Sequence, residues 1–190
     1  MRRILVSGAS GIVGYGVLRS LRQSGLDLTL WGTSIYDDSV APAFCDVFEL
    51  APPTNDPGYM NWLLSSIRRN RIDMVIPGIE TDMYKWIEHV PEIKAAGATP
   101  LLNAPKLLEL CRDKWVFYLQ LENAGLRCAI DTSIEPDFHV LAAKFGLPFL
   151  LKPRRGFASK GIVRVDGQQT YREYSRDVGS MLMVQPIVGN

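Results

Sequence analysis

The start of the chain carries the pattern that most limits its possible folds: a strand, a glycine-rich turn, a helix and a second strand. Ile4 to Val6 form a short apolar run that ends at a glycine turn. Apolar residues then recur at helical spacing until Gly25, and residues 28–31 predict the next strand. Two strands joined in this way form the first half of a doubly wound parallel sheet.

Predicted strands and helices continue to alternate up to residue 103. The further predicted elements are a strand around 47–50, a helix over 60–67, a strand at 73–78, one or two helices over 81–96 and a strand at 99–102. Such alternation is typical of α/β folds with a parallel sheet. We therefore expect residues 1–103 to form a Rossmann-like domain.

The pattern changes after residue 103, and we expect residues 104–190 to form a second, α+β unit. Its predicted elements are two helices over 105–124 with a break near Arg112-Asp113, a helix at 138–145, strands at 148–153 and 162–165, a short helix at 169–176 and a strand at 181–185. The chain stops directly after a strand and a glycine, which would leave an unpaired sheet edge. This predicts that the 190 residues are part of a longer protein.

Composition and charge exclude several classes of function. The hydrophobic content of 47% is that of a globular protein, and the net charge of +1 argues against a nucleic-acid partner. The longest apolar stretches have the length of a strand, so we expect no membrane partner. Cys45, Cys111 and Cys128 lie far apart without metal-ligand spacing, which predicts free thiols, no metal site and a cytoplasmic location.

The first glycine turn has two interpretations. Gly8, Gly11 and Gly14 would allow a phosphate to approach a helix N-terminus, but they would also allow tight packing of helix against strand. A dinucleotide site also needs an acidic residue near the end of the second strand, and residues 32–34 contain none. We favour packing glycines, and a dinucleotide-binding oxidoreductase or epimerase-like protein stays as an alternative.

The most informative segment is a second, basic glycine turn over residues 154–161. An apolar strand ends in Lys152, and two glycines, a serine and further cations follow. Backbone N–H groups in such a loop bind anions, and a lysine adds a point charge for a polyphosphate. Because a strand follows at 162–165, the loop would be a flap between two antiparallel strands. The alternative is a solvated basic hairpin.

These residues resemble the nucleotide-binding core of the ATP-grasp superfamily, in its carbamoyl-phosphate-synthase-like branch. The motifs that carry the resemblance are Asp113-Lys114, Ala143-Lys144-Phe145-Gly146-Leu147-Pro148, Lys152-Pro153-Arg154 with the glycine turn after it, and Met183-Val184-Gln185-Pro186-Ile187-Val188-Gly189. The stretch 76–82 fits that branch as well. The resemblance implies a pre-ATP-grasp domain over 1–103 and the N-terminal part of an ATP-grasp domain over 104–190.

The resemblance also implies roles for individual residues. The implied ATP-binding residues are Lys114, Lys152, Arg154, Gly156, Ser159, Lys160, Gly161, Gln185, Pro186 and Ile187. Among them Lys114 and Lys152 would contact phosphates. The flap would contain Gly156, Ser159 and Gly161, and residues 185–187 would line the adenine pocket mainly through backbone groups. Gly11, Glu80 and Asp82 are candidates for the substrate side, because ligands bind at the carboxyl ends of parallel strands. The two acids would otherwise cap the next helix, and we slightly favour the cap.

A ligase reaction is what the resemblance implies for the parent protein: Mg-ATP phosphorylates a carboxylate, and an amine-type nucleophile then displaces phosphate. Two positions depart from the family pattern, Ala158 in place of a loop glycine and Pro186 in place of an acid. The magnesium ligands are expected beyond residue 190, so the chain alone is predicted to be inactive. A partner chain, a homo-oligomer or a non-catalytic binding subunit are the alternatives left open.

Overall fold

The computed structural model of the protein describes residues 1–126, 130–156 and 158–189. Cys128, predicted to be a free thiol, and Phe157 of the second glycine turn lie outside the described residues. The chain divides into two compact units, Met1–Ala104 and Pro105–Asn190, here called unit 1 and unit 2.

Unit 1 is an α/β unit built on one parallel sheet. Its strands are β1 (Arg2–Val6), β2 (Leu28–Ser34), β3 (Val47–Leu50), β4 (Met74–Ile76) and β5 (Thr99–Pro100). Its helices are α1 (Ile12–Gln23), α2 (Tyr59–Asn70), α3 (Glu80–Ile87) and α4 (Val90–Ala96), with a short 3-10 helix at Ala41–Ala43. The strands lie in the order β3-β2-β1-β4-β5, and every pair is parallel. The doubly wound α/β prediction is therefore confirmed.

The central strand β1 is buried on both faces of this sheet. Leu5 packs in a cluster that contains Leu63 of α2 and Trp86 of α3. Val6 packs in the opposite cluster with Leu18 of α1. Because successive strand residues point to opposite faces, the short apolar run reaches both cores and the helices cover both sides.

Unit 2 combines helices with a small antiparallel sheet. Its strands are β6 (Phe149–Pro153), β7 (Val163–Val165) and β8 (Leu182–Pro186). Its helices are α5 (Pro105–Arg112), α6 (Lys114–Asn123), α7 (Phe138–Phe145) and α8 (Gln168–Tyr174), with a 3-10 helix at Ser175–Asp177. The sheet order is β7-β6-β8, and both neighbours of β6 run antiparallel to it. The second glycine turn thus joins antiparallel strands, as the sequence predicted.

The two faces of the β6–β8 pair differ in polarity. Leu151 lies opposite Val184, and both are fully buried in the core of unit 2. Leu150 lies opposite Gln185, one residue along each strand and therefore on the other face. Lys152 shares that second face with them, two residues beyond Leu150. The sheet thus has one face for packing and one that carries a cation and an amide.

Candidate functional site

A pocket of about 200 Å³ lies at the second glycine turn of unit 2. We call residues 154–161 the glycine loop and this cavity the loop pocket. The lining residues are Lys114, Lys152, Pro153, Gly156, Ala158, Ser159, Lys160 and Ile162. Five of the predicted ATP-binding residues, from α6, β6 and the loop, therefore meet in one cavity. Of the other five, Arg154, Gly161, Gln185, Pro186 and Ile187, none lines it among the described residues.

The glycine loop turns through a series of left-handed backbone conformations. Gly156 has φ 129° and Gly161 has φ 76°, which glycine adopts without steric cost. Ala158 and Ser159 have φ 54° and 57°, where a side chain costs roughly 1–2 kcal/mol per residue. The departure from the family pattern at Ala158 thus falls on a residue whose backbone favours glycine.

Lys114 connects the start of α6 to the glycine loop through hydrogen bonds. Its Nζ donates to the carbonyl oxygen of Gly156 at 2.6 Å, of Arg154 at 3.4 Å and of Pro153 at 3.5 Å. Its backbone N–H donates to the Arg154 carbonyl as well, at 2.9 Å. The ammonium group therefore sits at the base of the loop, where three carbonyl dipoles converge on it.

Asp113 joins the same helix to Arg154 through a partly buried ion pair. The Arg154 guanidinium donates to both carboxylate oxygens, at 3.1 and 2.9 Å. It also donates to the carbonyl oxygens of Gly179 and Ser180. These four bonds occupy four of its five N–H groups, so Arg154 has a structural role. Its predicted contact with ATP stays a prediction that this geometry does not favour.

The carboxylate of Asp113 is also the N-cap of α6. It accepts from the backbone N–H groups of Trp115 at 3.0 Å and Val116 at 3.4 Å. Burial alone would raise the pKa of Asp113, but the Arg154 guanidinium and the two backbone donors together lower it below its usual value. The carboxylate is therefore held in its charged form.

A second chain of hydrogen bonds runs from Lys152 to Thr132. The Nζ of Lys152 donates to Oε1 of Gln185 at 3.4 Å, and Nε2 of Gln185 donates to Oγ1 of Thr132 at 2.8 Å. Thr132 was not singled out from the sequence, since it lies 53 residues from Gln185. The side-chain oxygen of Gln185 thus accepts a hydrogen bond from the ammonium group of Lys152. The adenine contacts predicted for residues 185–187 stay a prediction.

In unit 1 the substrate-side candidates lie at the carboxyl ends of the strands. Helix α3 begins at Glu80, its N-cap is Ile79, and no side chain at that position makes a cap bond. The capping role that we favoured for Glu80 and Asp82 is therefore wrong, because both acids lie inside the first turn. Asp82 is buried and accepts from Oγ1 of Thr54 at 2.5 Å, whereas Glu80 is exposed.

Beside this buried acid the pKa of Tyr59 is raised, first by burial and then by the charge of Asp82. The Tyr59 hydroxyl in turn accepts from Nε1 of Trp86 at 3.0 Å. Asp82 thus belongs to a buried hydrogen-bond network, and its predicted contact with substrate stays untested.

The first glycine turn is a site of close backbone packing. A Cβ on Gly14 would lie 2.7 Å from the carbonyl carbon of Gly8 and 2.9 Å from the Ser7 oxygen. A Cβ on Gly78 would collide with the Ser7 oxygen and lie 2.7 Å from the Gly14 Cα. The interpretation of Gly14 as a packing glycine is confirmed. Gly11 is less crowded, because a Cβ there would lie 3.3 Å from the Gly8 oxygen, and its substrate role stays a prediction.

Neither a metal-binding cluster nor a membrane-spanning helix is present in the described part of the chain. Residues 1–126, 130–156 and 158–189 hold no group of three or more His, Cys, Asp or Glu side chains that could bind a metal ion. Over the same ranges no helix has the length and apolar character needed to cross a membrane.

Comparison with known proteins shows the fold to which this geometry belongs. No protein-family model and no curated protein sequence matches the chain. The biotin carboxylase domain of a 2-oxoglutarate carboxylase from Hydrogenobacter thermophilus, solved with MgADP, ADP and bicarbonate, is similar with a TM-score of 0.67 and 17% identity. That match covers 98% of this chain and 44% of the other.

Two further solved structures match over 99% of this chain. N5-carboxyaminoimidazole synthetase from Staphylococcus aureus complexed with ADP has a TM-score of 0.66 and 16% identity, with 48% of its own length covered. The L-amino acid ligase from Bacillus licheniformis has a TM-score of 0.62 and 20% identity, with 44% covered. The chain thus spans less than half of each of these proteins. Their shared architecture confirms the ATP-grasp resemblance at the level of the fold.

Proposed function

We propose that the loop pocket binds the polyphosphate of ATP or ADP, and that the chain supplies the nucleotide-binding part of an ATP-dependent ligase. The observation that carries the proposal is the meeting of Lys114 and Lys152 at the glycine loop. These lysines come from α6 and β6, and Lys160 of the loop lines the same cavity. The ATP-grasp fold and the ADP complexes of two similar proteins support it.

Electrostatics explains why this arrangement suits a polyphosphate. Three lysines that line one small cavity offset the charge of the phosphate oxygens. Charge-assisted hydrogen bonds of this kind are roughly twice as strong as neutral ones. The loop adds backbone groups in left-handed conformations at Ala158 and Ser159, a geometry that forms anion-binding concavities.

The reaction that we propose for the whole protein needs positioning more than a protein nucleophile. A carboxylate oxygen of the substrate attacks the γ-phosphorus of ATP, and ADP leaves with the bonding electrons. An amine-type nucleophile then attacks the acyl carbon, phosphate leaves with the electrons of the broken C–O bond, and the amine releases a proton to solvent. In this scheme Lys114, Lys152 and Lys160 hold the phosphates in line and reduce their charge.

Magnesium would supply positive charge that offsets the charge of the phosphates in a reaction of this class. Its oxygen ligands would be carboxylates, and the described residues provide no cluster of them. The role that we propose for this chain is limited to holding the nucleotide.

The proposal is tested by calorimetric titration of the chain with ADP. We expect binding in the unsubstituted chain and a loss of about 10- to 150-fold in Lys152→Met, because hydrogen bonds to charged groups contribute roughly 1.5–3 kcal/mol. Lys144→Met is the matched control. Lys144 lies in the same unit and pairs at the surface with Asp131 at 3.1 Å, outside the loop pocket.

The outcomes distinguish the proposed function from the dinucleotide-binding alternative. Equal affinity of Lys152→Met and the control for ADP would show that the lysine is not a phosphate ligand. Binding of NADPH in place of ADP would favour the dinucleotide-binding alternative. That alternative lacks support at the end of β2, where Ser34 hydrogen-bonds Ser10 and no acid stands at 32–34.

A further inference from the structure

Thr132 lies beside the lysine strand, at a place that no sequence motif marks. It is 3% exposed, although it belongs to a segment without regular secondary structure. Its neighbour Ser133 forms two backbone hydrogen bonds with Val184 of β8, at 2.9 and 2.8 Å. This bridge holds the Thr132 hydroxyl next to Gln185, the residue that follows Val184.

The hydrogen bonds of Thr132 have a defined direction. Its Oγ1 donates to the carbonyl oxygen of Ile130 at 2.9 Å, which uses the single hydroxyl proton. The hydroxyl can therefore only accept from Gln185. The partner atom must be the amide nitrogen Nε2, which lies at 2.8 Å.

This direction fixes the orientation of the Gln185 amide. With Nε2 held by Thr132, Oε1 points toward the ammonium group of Lys152. A rotated amide would place N–H donors against the ammonium, and two donors repel each other. A hydroxyl on one segment thus sets which atom of Gln185 faces the lysine on β6.

The chemistry of Oε1 suits a lysine that must bind an anion. A neutral carbonyl oxygen orients the ammonium group but leaves its full positive charge for a second partner. A carboxylate in the same place would neutralise the lysine and repel a phosphate. Lys152 can therefore be positioned and remain an effective cation.

We propose that Thr132 is a positioning residue for Lys152, acting through the side-chain amide of Gln185. The inference rests on the proposed function, because it assigns to this hydrogen-bond chain the task of aiming Lys152 at a polyphosphate. Thr132 itself contacts no ligand in this scheme.

The experiment measures the affinity of the chain for ADP and for inorganic tripolyphosphate, which lacks a base. We expect Thr132→Val, which keeps the shape but removes the hydroxyl, to weaken both ligands about three- to tenfold. Thr132→Ser restores the hydroxyl and should stay within about twofold of the unsubstituted chain. Ser133→Ala is the matched control, since the hydroxyl of Ser133 accepts from the Glu135 backbone N–H.

A double-mutant cycle distinguishes positioning from a general structural effect. In the Lys152→Met background, Thr132→Val should cause no further loss of tripolyphosphate affinity, because the group that it positions is gone. If Thr132→Val does not fold, Gln185→Met replaces it in the same cycle and should show the same dependence on Lys152. An additive loss in the cycle would overturn the inference.

The failure of this inference and of the proposed function give different results. A chain that binds ADP equally well with and without the Thr132 hydroxyl would overturn the positioning role alone. A chain that binds neither ADP nor tripolyphosphate would overturn the proposed function, and this inference with it.

Discussion

Replacing Asp113 with Asn tests how much the partly buried ion pair with Arg154 stabilises unit 2. Asp113 and Asp137 are both N-caps, and each accepts two backbone N–H groups at the start of a helix. They differ in their surroundings: the Asp113 side chain is 7% exposed and pairs with Arg154, whereas Asp137 is exposed. Because Asn caps helices about as well as Asp, both variants keep a cap, and they differ chiefly in the ion pair with Arg154 that Asp113→Asn alone removes.

The expected magnitude follows from the bonds that Asp113 loses. Removing one partner of a buried pair costs roughly 3–5 kcal/mol, and hydrogen bonds to charged groups contribute about 1.5–3 kcal/mol. Asn keeps one oxygen acceptor, so we expect a loss of about 2–3 kcal/mol for Asp113→Asn. Native-state hydrogen exchange of the β6 and β8 amides should then become about 30- to 150-fold faster.

The exchange assay also has a pH signature. The pKa of Asp113 is lowered in the folded chain, so its contribution to stability is present above the unfolded pKa of about 3.9 and is lost as pH falls through the folded pKa. The difference in exchange rate between the unsubstituted chain and Asp113→Asn should therefore narrow in acid. Equal exchange rates in the two variants at pH 7 would refute the reasoning.

Two further predictions use matched pairs, each read by urea unfolding. Gly14→Ala should destabilise unit 1 by several times the gain in helix propensity, because its Cβ would lie 2.7 Å from the Gly8 carbonyl carbon. A Cβ on Gly16 would meet open space among the described residues, so Gly16→Ala should stabilise unit 1 by about 1 kcal/mol. Equal effects of the two substitutions on the stability of unit 1 would refute the packing argument. Ala158→Gly should be neutral or stabilising by up to about 1 kcal/mol, whereas Ala143→Gly within α7 should cost about 1 kcal/mol. Equal losses would show that the left-handed φ at Ala158 carries no strain.

Local patterns predicted the elements of this fold well. The run from Ile4 to Val6 marks a buried strand because its apolar residues serve two cores, and the break near Arg112-Asp113 appears as two helices with Asp113 as a cap. These features depend on neighbours within one turn or one strand. Periodicity and capping chemistry therefore contain enough information to locate them.

The side-chain partners in the site could not be predicted in the same way. The resemblance implies a nucleotide contact for Arg154, but its guanidinium pairs with Asp113, 41 residues away. The adenine contact that the resemblance implies for Gln185 stays a prediction, and the bonds of its side-chain amide to Lys152 and Thr132 were not expected. Each of these pairings depends on the tertiary fold. Motif spacing identifies which residues reach the site and leaves open which partner each one takes.

Strand β6 has a consequence for how this sequence can change in length. It is hydrogen-bonded on both sides, so β7 and β8 hold its register, and Leu151 and Lys152 point to opposite faces. One residue inserted within Phe149–Pro153 would exchange these faces, placing an ammonium among Phe149, Val165 and Val184. Residues added to the loop after Gly156 would leave the odd-even order of the strand intact. Evolution and protein engineering can therefore vary the length of the loop, but a change in length within the strand must leave each side chain on its own face of the sheet.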